Sequence, residues 1–483
     1  MSQTPPINKS VDYKTVSETL YDAVIVGSGV AGSIVAKELS EQGHRVLVLE
    51  AGPDQDMTVA GFNEYVKNFH GSVDKDNNAP FPRNPNAPSP RSPDIEKLVP
   101  GQVGTSGYFV QRGPLALDSA YTRVAGGATT HFQATTLRML PEDFKLRSHF
   151  GQGLDWPISY EDMMPYYRQA EFELGVSADV EEQRYAGLHF EPDYVYPMHK
   201  IPISYLDKAV AKGIDGSKIE IGSETLNLKV HSIPQGRNGI PNPKYDNGKG
   251  FAPVGAVSRH QAELGGRCQG NANCTPICPV QAKYDGRKTL NKALQTGSVD
   301  FLAQAVASQV QIDPGNGRVT GVQVKVYHDP NSPEHETAEV RGKLFVLAAN
   351  AVENARLMLS SGLRSTSGLM GKNLMDHPYL LAWGLMPEVA GTMRGPLGTS
   401  GIEEFRSGAF RRKQSGFRID IHNEGWGWAT GSPFTDLVDI VDNKNKFGHS
   451  LRQQLIDRIS RQLLLAFTCE LPADPSNQVS IDP

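Results

Sequence analysis

Three of the four cysteines in this chain sit in one short run, Cys268, Cys274 and Cys278, within Cys-Gln-Gly-Asn-Ala-Asn-Cys-Thr-Pro-Ile-Cys-Pro. Four cysteines scattered at random over this length would cluster so tightly in roughly fewer than one case in a hundred. Thiolates gathered this way hold a metal ion or an iron–sulfur cluster, or join in a disulfide. No fourth cysteine stands nearby, so a closed zinc site would have to borrow a histidine such as His260. Cys469, far from the triplet, reads as a residue buried in a strand.

A second group of residues fits phosphate chemistry. Gly27, Gly29 and Gly32 have the spacing G-x-G-x-x-G. The first allows a tight turn, the second lets backbone approach a pyrophosphate, and the third lets a helix pack closely on a strand. Glu50 follows about 20 residues on, where an acid accepts from ribose hydroxyls. The motif alone does not separate FAD from NAD.

These residues need a βαβ unit to position them. Tyr21-Asp22-Ala23-Val24-Ile25-Val26 has the apolar run of a buried strand. A helix is expected from Ser33 to about Gln42, stopped by Gly43, then a second strand over residues 45–50. The crossover between them should be parallel and right-handed. Residues 1–14 read as a flexible arm within a polar stretch reaching residue 20. Residues 53–98, with Asn-Pro-Asn-Ala-Pro-Ser-Pro, read as a structureless, lid-like loop.

Further along, Met164, Tyr167, Ala170 and Leu174 mark an amphipathic helix from Tyr160 to Leu174. Strands are expected over 299–310 and 319–327, and a buried strand over 344–349 leading into a helix from Glu353 to Leu359. The tail reads as a helix (451–461), a strand (463–468), a turn (472–477) and a further strand from Gln478.

Bulk properties narrow the function. With 483 residues the chain can bury the cores of two or three domains. The net charge is only -5 and there is no long basic run, so nucleic-acid binding has no support. No signal-peptide core, twin arginine or membrane-spanning stretch is found. One cluster of three cysteines is not the framework of a disulfide-stapled scaffold.

Several segments together resemble the glucose–methanol–choline (GMC) oxidoreductases. Arg123-Val124-Ala125-Gly126-Gly127-Ala128-Thr129-Thr130-His131-Phe132 is similar to that family's second flavin-contact segment. Trp156-Pro157-Ile158-Ser159-Tyr160-Glu161-Asp162 and Ala348-Ala349-Asn350-Ala351-Val352-Glu353 also match in order and spacing. So does Gly371-Lys372-Asn373-Leu374-Met375-Asp376-His377-Pro378. Within the family, Cys268, Cys274, Cys278 and Pro279 resemble the cysteine loop of the bacterial large subunits of glucose, fructose, sorbitol and gluconate dehydrogenases.

The resemblance implies an α/β fold: a Rossmann-like FAD-binding domain (15–160 and 290–372) and a discontinuous α+β substrate domain (161–289 and 373–483). The latter would be built on a mixed sheet and carry the cysteine loop at 260–285. It implies FAD contacts at Gly27, Gly29, Gly32, Glu50, Gly126, Gly127, Thr130, His131, Val306 and Ala349. His131 either bonds covalently to the flavin 8α-methyl or packs beside the isoalloxazine. Cys268, Cys274 and Cys278 would ligate a three-iron, four-sulfur (3Fe-4S) cluster.

The implied reaction is dehydrogenation of a sugar or polyol hydroxyl, with hydride passing to flavin N5. Electrons would then run through the cluster to a cytochrome c subunit or a quinone. A small chaperone-like subunit bearing the export signal would bring the chain to the periplasm and the membrane; a cytoplasmic location is the alternative. Asp376 and His377 are expected to form a structural turn rather than to act on substrate. The catalytic histidine and its asparagine or histidine partner are expected beyond residue 483, within roughly 80–110 further residues, a small domain's worth of chain. Two other readings stay open: a flavin oxidase of pyranose-oxidase type, and a non-catalytic flavin-binding fragment.

Overall fold

The computed structural model describes residues 11–481 except 54–57, 73–78, 82–83, 85, 88–94, 98–108, 112–121, 254–265, 271–273 and 330–331. His260 and part of the expected lid-like and cysteine loops therefore lie outside the described residues.

A six-stranded sheet organises the dinucleotide half. Its order is Val299–Leu302, Val46–Leu49, Leu20–Val26, His335–Leu347, Val319–Tyr327 and Ala305–Ile312. The first four strands run parallel, and Val319–Tyr327 pairs antiparallel with both of its neighbours. Successive side chains of a strand face opposite sides. Val24, Leu47 and Leu49 accordingly enter one core with Val322, Val324 and Val340. Ala23, Ile25, Val46 and Val48 enter the other, under Ala36, Leu290 and Ala293 from the covering helices Val30–Glu41 and Gly286–Gln295. Burial on both faces is why these strands read as continuous apolar runs.

A second sheet has five strands, in the order Tyr379–Leu385, Gln462–Cys469, Phe417–His422, Ser400–Ile402 and Val230–Ser232. Every pairing in it is antiparallel, not mixed as expected. One face packs Ile402, Ile419 and Ile421 on Leu206 and Val210 of the helix Tyr205–Ile214. That helix carries a capping box, Ser204 with Asp207, which satisfies its first free N–H groups.

Several elements differ from expectation. Residues 1–10 lie outside the described residues, but Tyr13–Glu18 is a short helix capped by Asp12, not arm or loose polar chain. Its Val16 is fully buried in the first core, and this apolar contact fixes it. The 53–98 segment contains the helix Val59–Gly71, whose Phe62, Tyr65 and Phe69 pack on Phe81, Val124 and Ile277. The surrounding prolines hid that aromatic face. The 299–310 stretch is two strands broken at Gln304, which has a positive φ of 52°. Gln478 forms only an isolated bridge with Lys372 instead of starting a strand.

Candidate functional site

The glycine turn opens a cleft of ≈ 270 Å³ at the carboxyl ends of the parallel strands. Gly27, Gly29, Glu50, Gly127, Val306 and Ala349 all line it. Gly27 sits at φ +104°, in the region that favours glycine. A Cβ on Gly29 would meet nothing within 4 Å, so its backbone faces open space where a ligand can approach. Gly32 is not in the lining. A Cβ there would stand 2.0 Å from the Gly27 carbonyl oxygen, so its role is close packing of helix on strand.

Glu50 is 5% exposed at the end of its strand. Its carboxylate accepts from the Ser28 amide (3.2 Å) and hydroxyl and from the Gly52 amide (2.8 Å). Burial pushes its pKa up; the Ser28 and Gly52 bonds and the Arg123 charge oppose that. The cleft also shows what the sequence reading missed. Arg123 and Arg356 line it and share Glu353, at 2.8 and 2.9 Å. Arg123 heads the segment already likened to a flavin contact, but nothing in the sequence paired it with Glu353, and no signal marked Arg356.

The Gly126–His131 segment closes the cleft from above. A Cβ on Gly127 would lie 3.2 Å from the Gly29 Cα, which brings the two glycine segments into direct apposition. Gly126, at φ +89°, faces Asp285 and Arg287 instead of the cleft. Thr130 Oγ1 donates to the Gly127 carbonyl (2.9 Å) and Thr129 Oγ1 to that of Gly126 (2.5 Å), which winds the segment into a 3-10 turn. Thr130 and His131 are buried behind this turn and do not line the cleft.

The cysteine loop is fastened to this same segment. Thr275 Oγ1 donates to the His131 carbonyl (3.1 Å), and Lys283 Nζ donates to the Thr130 carbonyl (2.9 Å). Ile277 of the loop packs with Val124 of the segment. The three thiols are free, with Cys274 buried and the other two half-buried. Burial raises the Cys268 thiol pKa, Arg237 lowers it, and Cys274 and Cys278 raise it further, so the three groups lie within electrostatic reach of one another. Among the described residues, however, no three such side chains are grouped as they lie into a metal-binding set. The donor chemistry suits a thiolate-ligated metal centre; the side-chain arrangement is not that of a loaded one.

A family model described as GMC oxidoreductase matches residues 250–379, and one described as an NAD(P)-binding Rossmann-like domain matches residues 25–57. The fructose dehydrogenase large subunit of Gluconobacter japonicus is 30% identical over 474 residues, 96% of this chain and 77% of that protein. The chain belongs to the GMC oxidoreductase family. Two further relatives of this GMC oxidoreductase share less identity with it. The 2-methyl-1,2-propanediol dehydrogenase of Mycolicibacterium austroafricanum is 23% identical over 97% of the chain and 75% of that protein. The gluconate 2-dehydrogenase flavoprotein of Pantoea cypripedii is 24% identical over 73% of the chain and 55% of that protein.

The chain is thus an FAD-dependent alcohol or sugar oxidoreductase. Its cleft fits the dinucleotide: an open backbone at Gly29, the N-terminus of the Val30–Glu41 helix, and an acid at Glu50. The remaining motif residues of this GMC oxidoreductase stand apart from that cleft. Asp376 and His377 are exposed; the Asp376 carboxylate accepts from the His377 amide (2.7 Å), and the His377 ring meets the Cys469 carbonyl (3.3 Å). Tyr160 and Tyr167 pack around Leu140 and Phe144, whereas Trp156 and Tyr166 are exposed. Cys469 is half-buried at the end of its strand. No described helix is long and apolar enough to cross a membrane.

Proposed function

We propose that this chain oxidises a hydroxyl of a sugar or polyol and passes the electrons on through an iron–sulfur centre at Cys268, Cys274 and Cys278. FAD, when bound, supplies the hydride acceptor. The observation that carries the reading is the pair of hydrogen bonds from the cysteine loop, Thr275 and Lys283, to consecutive carbonyls at His131 and Thr130. A loop that served only as a surface excursion would not be stapled to a buried turn beside the cofactor cleft.

We assign the roles of this chain's own residues as follows, from the motif and from the resemblance. The Gly27–Gly32 turn and the following helix N-terminus receive the pyrophosphate, and Glu50 accepts from the ribose. Val306 and Ala349 offer backbone along the cleft. Thr129 and Thr130 hold the Gly126–Gly127 turn in shape. His131 is assigned to the flavin's dimethylbenzene edge. A covalent bond there would leave the yellow colour in the pellet after acid precipitation. Three soft thiolate donors suit iron–sulfur ligation, and the acceptor would be a cytochrome c subunit or a quinone. With a small signal-bearing subunit, such an assembly would work in the periplasm.

The test is iron, acid-labile sulfide and FAD per chain in anaerobically purified protein. It is paired with dye-linked oxidation of a sugar and polyol panel. Iron and sulfide in stoichiometric amounts support the relay. Their absence, together with rapid use of O₂, favours the oxidase reading. A relative named as an oxidase keeps the latter in view: the paromamine 6'-oxidase of Streptomyces fradiae is 24% identical over 74% of this chain and 54% of its own length.

A further inference from the structure

Lysine and arginine are rarely buried without an opposite charge. Around the cysteine loop three of them are. Arg237, Lys283 and Lys288 are 1%, 3% and 7% exposed. Asp285 is the carboxylate that acts on both lysines, but Arg287 already holds it through a 2.6 Å contact and two further bonds. Lys283 gives its ammonium to the neutral Thr130 carbonyl and lies 5.5 Å from the Phe132 ring centroid. Arg237 donates to the carbonyls of Gln133 (3.0 and 2.5 Å) and Leu397 (2.7 Å). Among the described residues, none of the three forms an ion pair with a carboxylate.

The cysteine loop is built onto these cations: the Cys268 amide donates to the Asn238 carbonyl (2.8 Å), next to Arg237, and Arg237 and Lys283 face each other in an isolated antiparallel bridge. Beside Asp285, Cys278 and Cys274 lie within electrostatic range of Lys283 and Cys278 of Lys288, and Arg237 lies within range of Cys268. We infer that Arg237, Lys283 and Lys288 form a built counter-charge shell for an anionic, thiolate-ligated centre on Cys268, Cys274 and Cys278. The inference rests on the iron–sulfur reading above and extends it to the residues that surround the ligands.

The charge count supports it. Three thiolates outweigh the positive charge of an oxidised three-iron core, so the ligated centre is a net anion that gains further negative charge on reduction, and buried cations surround it. Leaving either set uncompensated in a site of low dielectric is strongly unfavourable. Lys283 adds a second role as a positioning residue. Because its ammonium bonds the Thr130 carbonyl, the shell is continuous with the turn that closes the cofactor cleft. Arg237 does the same from the other side, through the Gln133 carbonyl just after His131.

The experiment measures iron, acid-labile sulfide and FAD in the wild type and in Lys283→Met, Lys288→Met and Lys283→Arg. A potentiometric titration of the iron–sulfur signal followed by electron paramagnetic resonance accompanies it. Loss of an outer partner typically weakens metal retention by about 10-fold or more. The two Met variants should lose iron relative to FAD by about that factor, or keep it with a more negative potential, because a lost positive charge disfavours the reduced state. Lys283→Arg should restore the wild-type ratio. Lys288 does not line the cofactor cleft, so its Met variant should keep FAD, which guards against mistaking global misfolding for the effect. Wild type without iron and sulfide would sink the iron–sulfur reading and the shell with it. Wild type with iron, beside Met variants unchanged in both iron and potential, would overturn the shell alone.

Discussion

The Thr275 hydroxyl donates to the backbone carbonyl of His131 across 144 residues of sequence, at 3.1 Å. This bond makes the cysteine loop and the Gly126–His131 turn beside the cofactor cleft one structural unit. Thr275→Val keeps the shape and removes the donor. It should cost about 1 kcal/mol, the worth of one internal hydrogen bond, and alter the absorption envelope of bound FAD. Chemical denaturation and flavin spectra check this. A variant equal to wild type in both would show that the loop does not brace the turn.

The two glycines of the motif should fail differently. Gly32→Ala forces a Cβ to within 2.0 Å of the Gly27 carbonyl oxygen, so helix and strand must separate. That variant should lose stability even without cofactor. Gly29→Ala places its methyl in open space, so the apoprotein should keep wild-type stability while FAD affinity falls. Thermal denaturation of apoprotein and flavin titration separate the two. Equal destabilisation by both substitutions would contradict these roles.

The sequence made the βαβ unit legible because its strands are buried on both faces and its turn needs glycine. It made the second sheet less so. The strand Tyr379–Leu385 exposes both faces, with Tyr379, Leu380, Trp383 and Leu385 all open to solvent, so no alternation marks it. The arginine–glutamate pairing in the cleft and the surroundings of the cysteine loop were illegible for another reason. Arg123 and Glu353 meet across 230 positions, and Arg237 reaches Gln133 across 104; only the tertiary fold joins them. Even the Tyr160–Leu174 helix, found at its observed bounds, buries Glu171 where the pattern pointed to Ala170.

That displaced position has a cause with a measurable consequence. Glu171 receives a paired contact from Arg138, Nε to Oε1 at 2.7 Å and Nη2 to Oε2 at 2.8 Å, both residues being buried. Phe190, Tyr194 and Tyr167 surround the guanidinium. Glu171→Ala leaves that cation buried without its counter-ion and should cost about 3–5 kcal/mol. Replacing both partners by apolar residues should cost less than the single change. Urea denaturation of the single and double variants tests this; a milder single change would mean the pair is not the fixed point of this half.

Stability should also carry a pH signature from the second sheet. His422 is 3% exposed, and its Nδ1 stands 2.6 Å from Glu424 Oε1. Burial works to discharge the ring, but the Glu424 charge and hydrogen bond, helped by Asp420, hold its pKa above the ordinary value. A histidine raised on folding binds its proton more tightly in the native state. Its contribution is therefore fully present below the unfolded value of about 6.5, and it fades as pH climbs through the higher native value. Glu424→Gln removes the charge that does the raising. The gap in unfolding free energy between wild type and this variant should be widest near pH 6, and it should narrow steadily toward alkaline pH. Parallel denaturation series across that range decide it, since a gap that is flat or widens with pH would mean that the imidazolium is not what Glu424 stabilises.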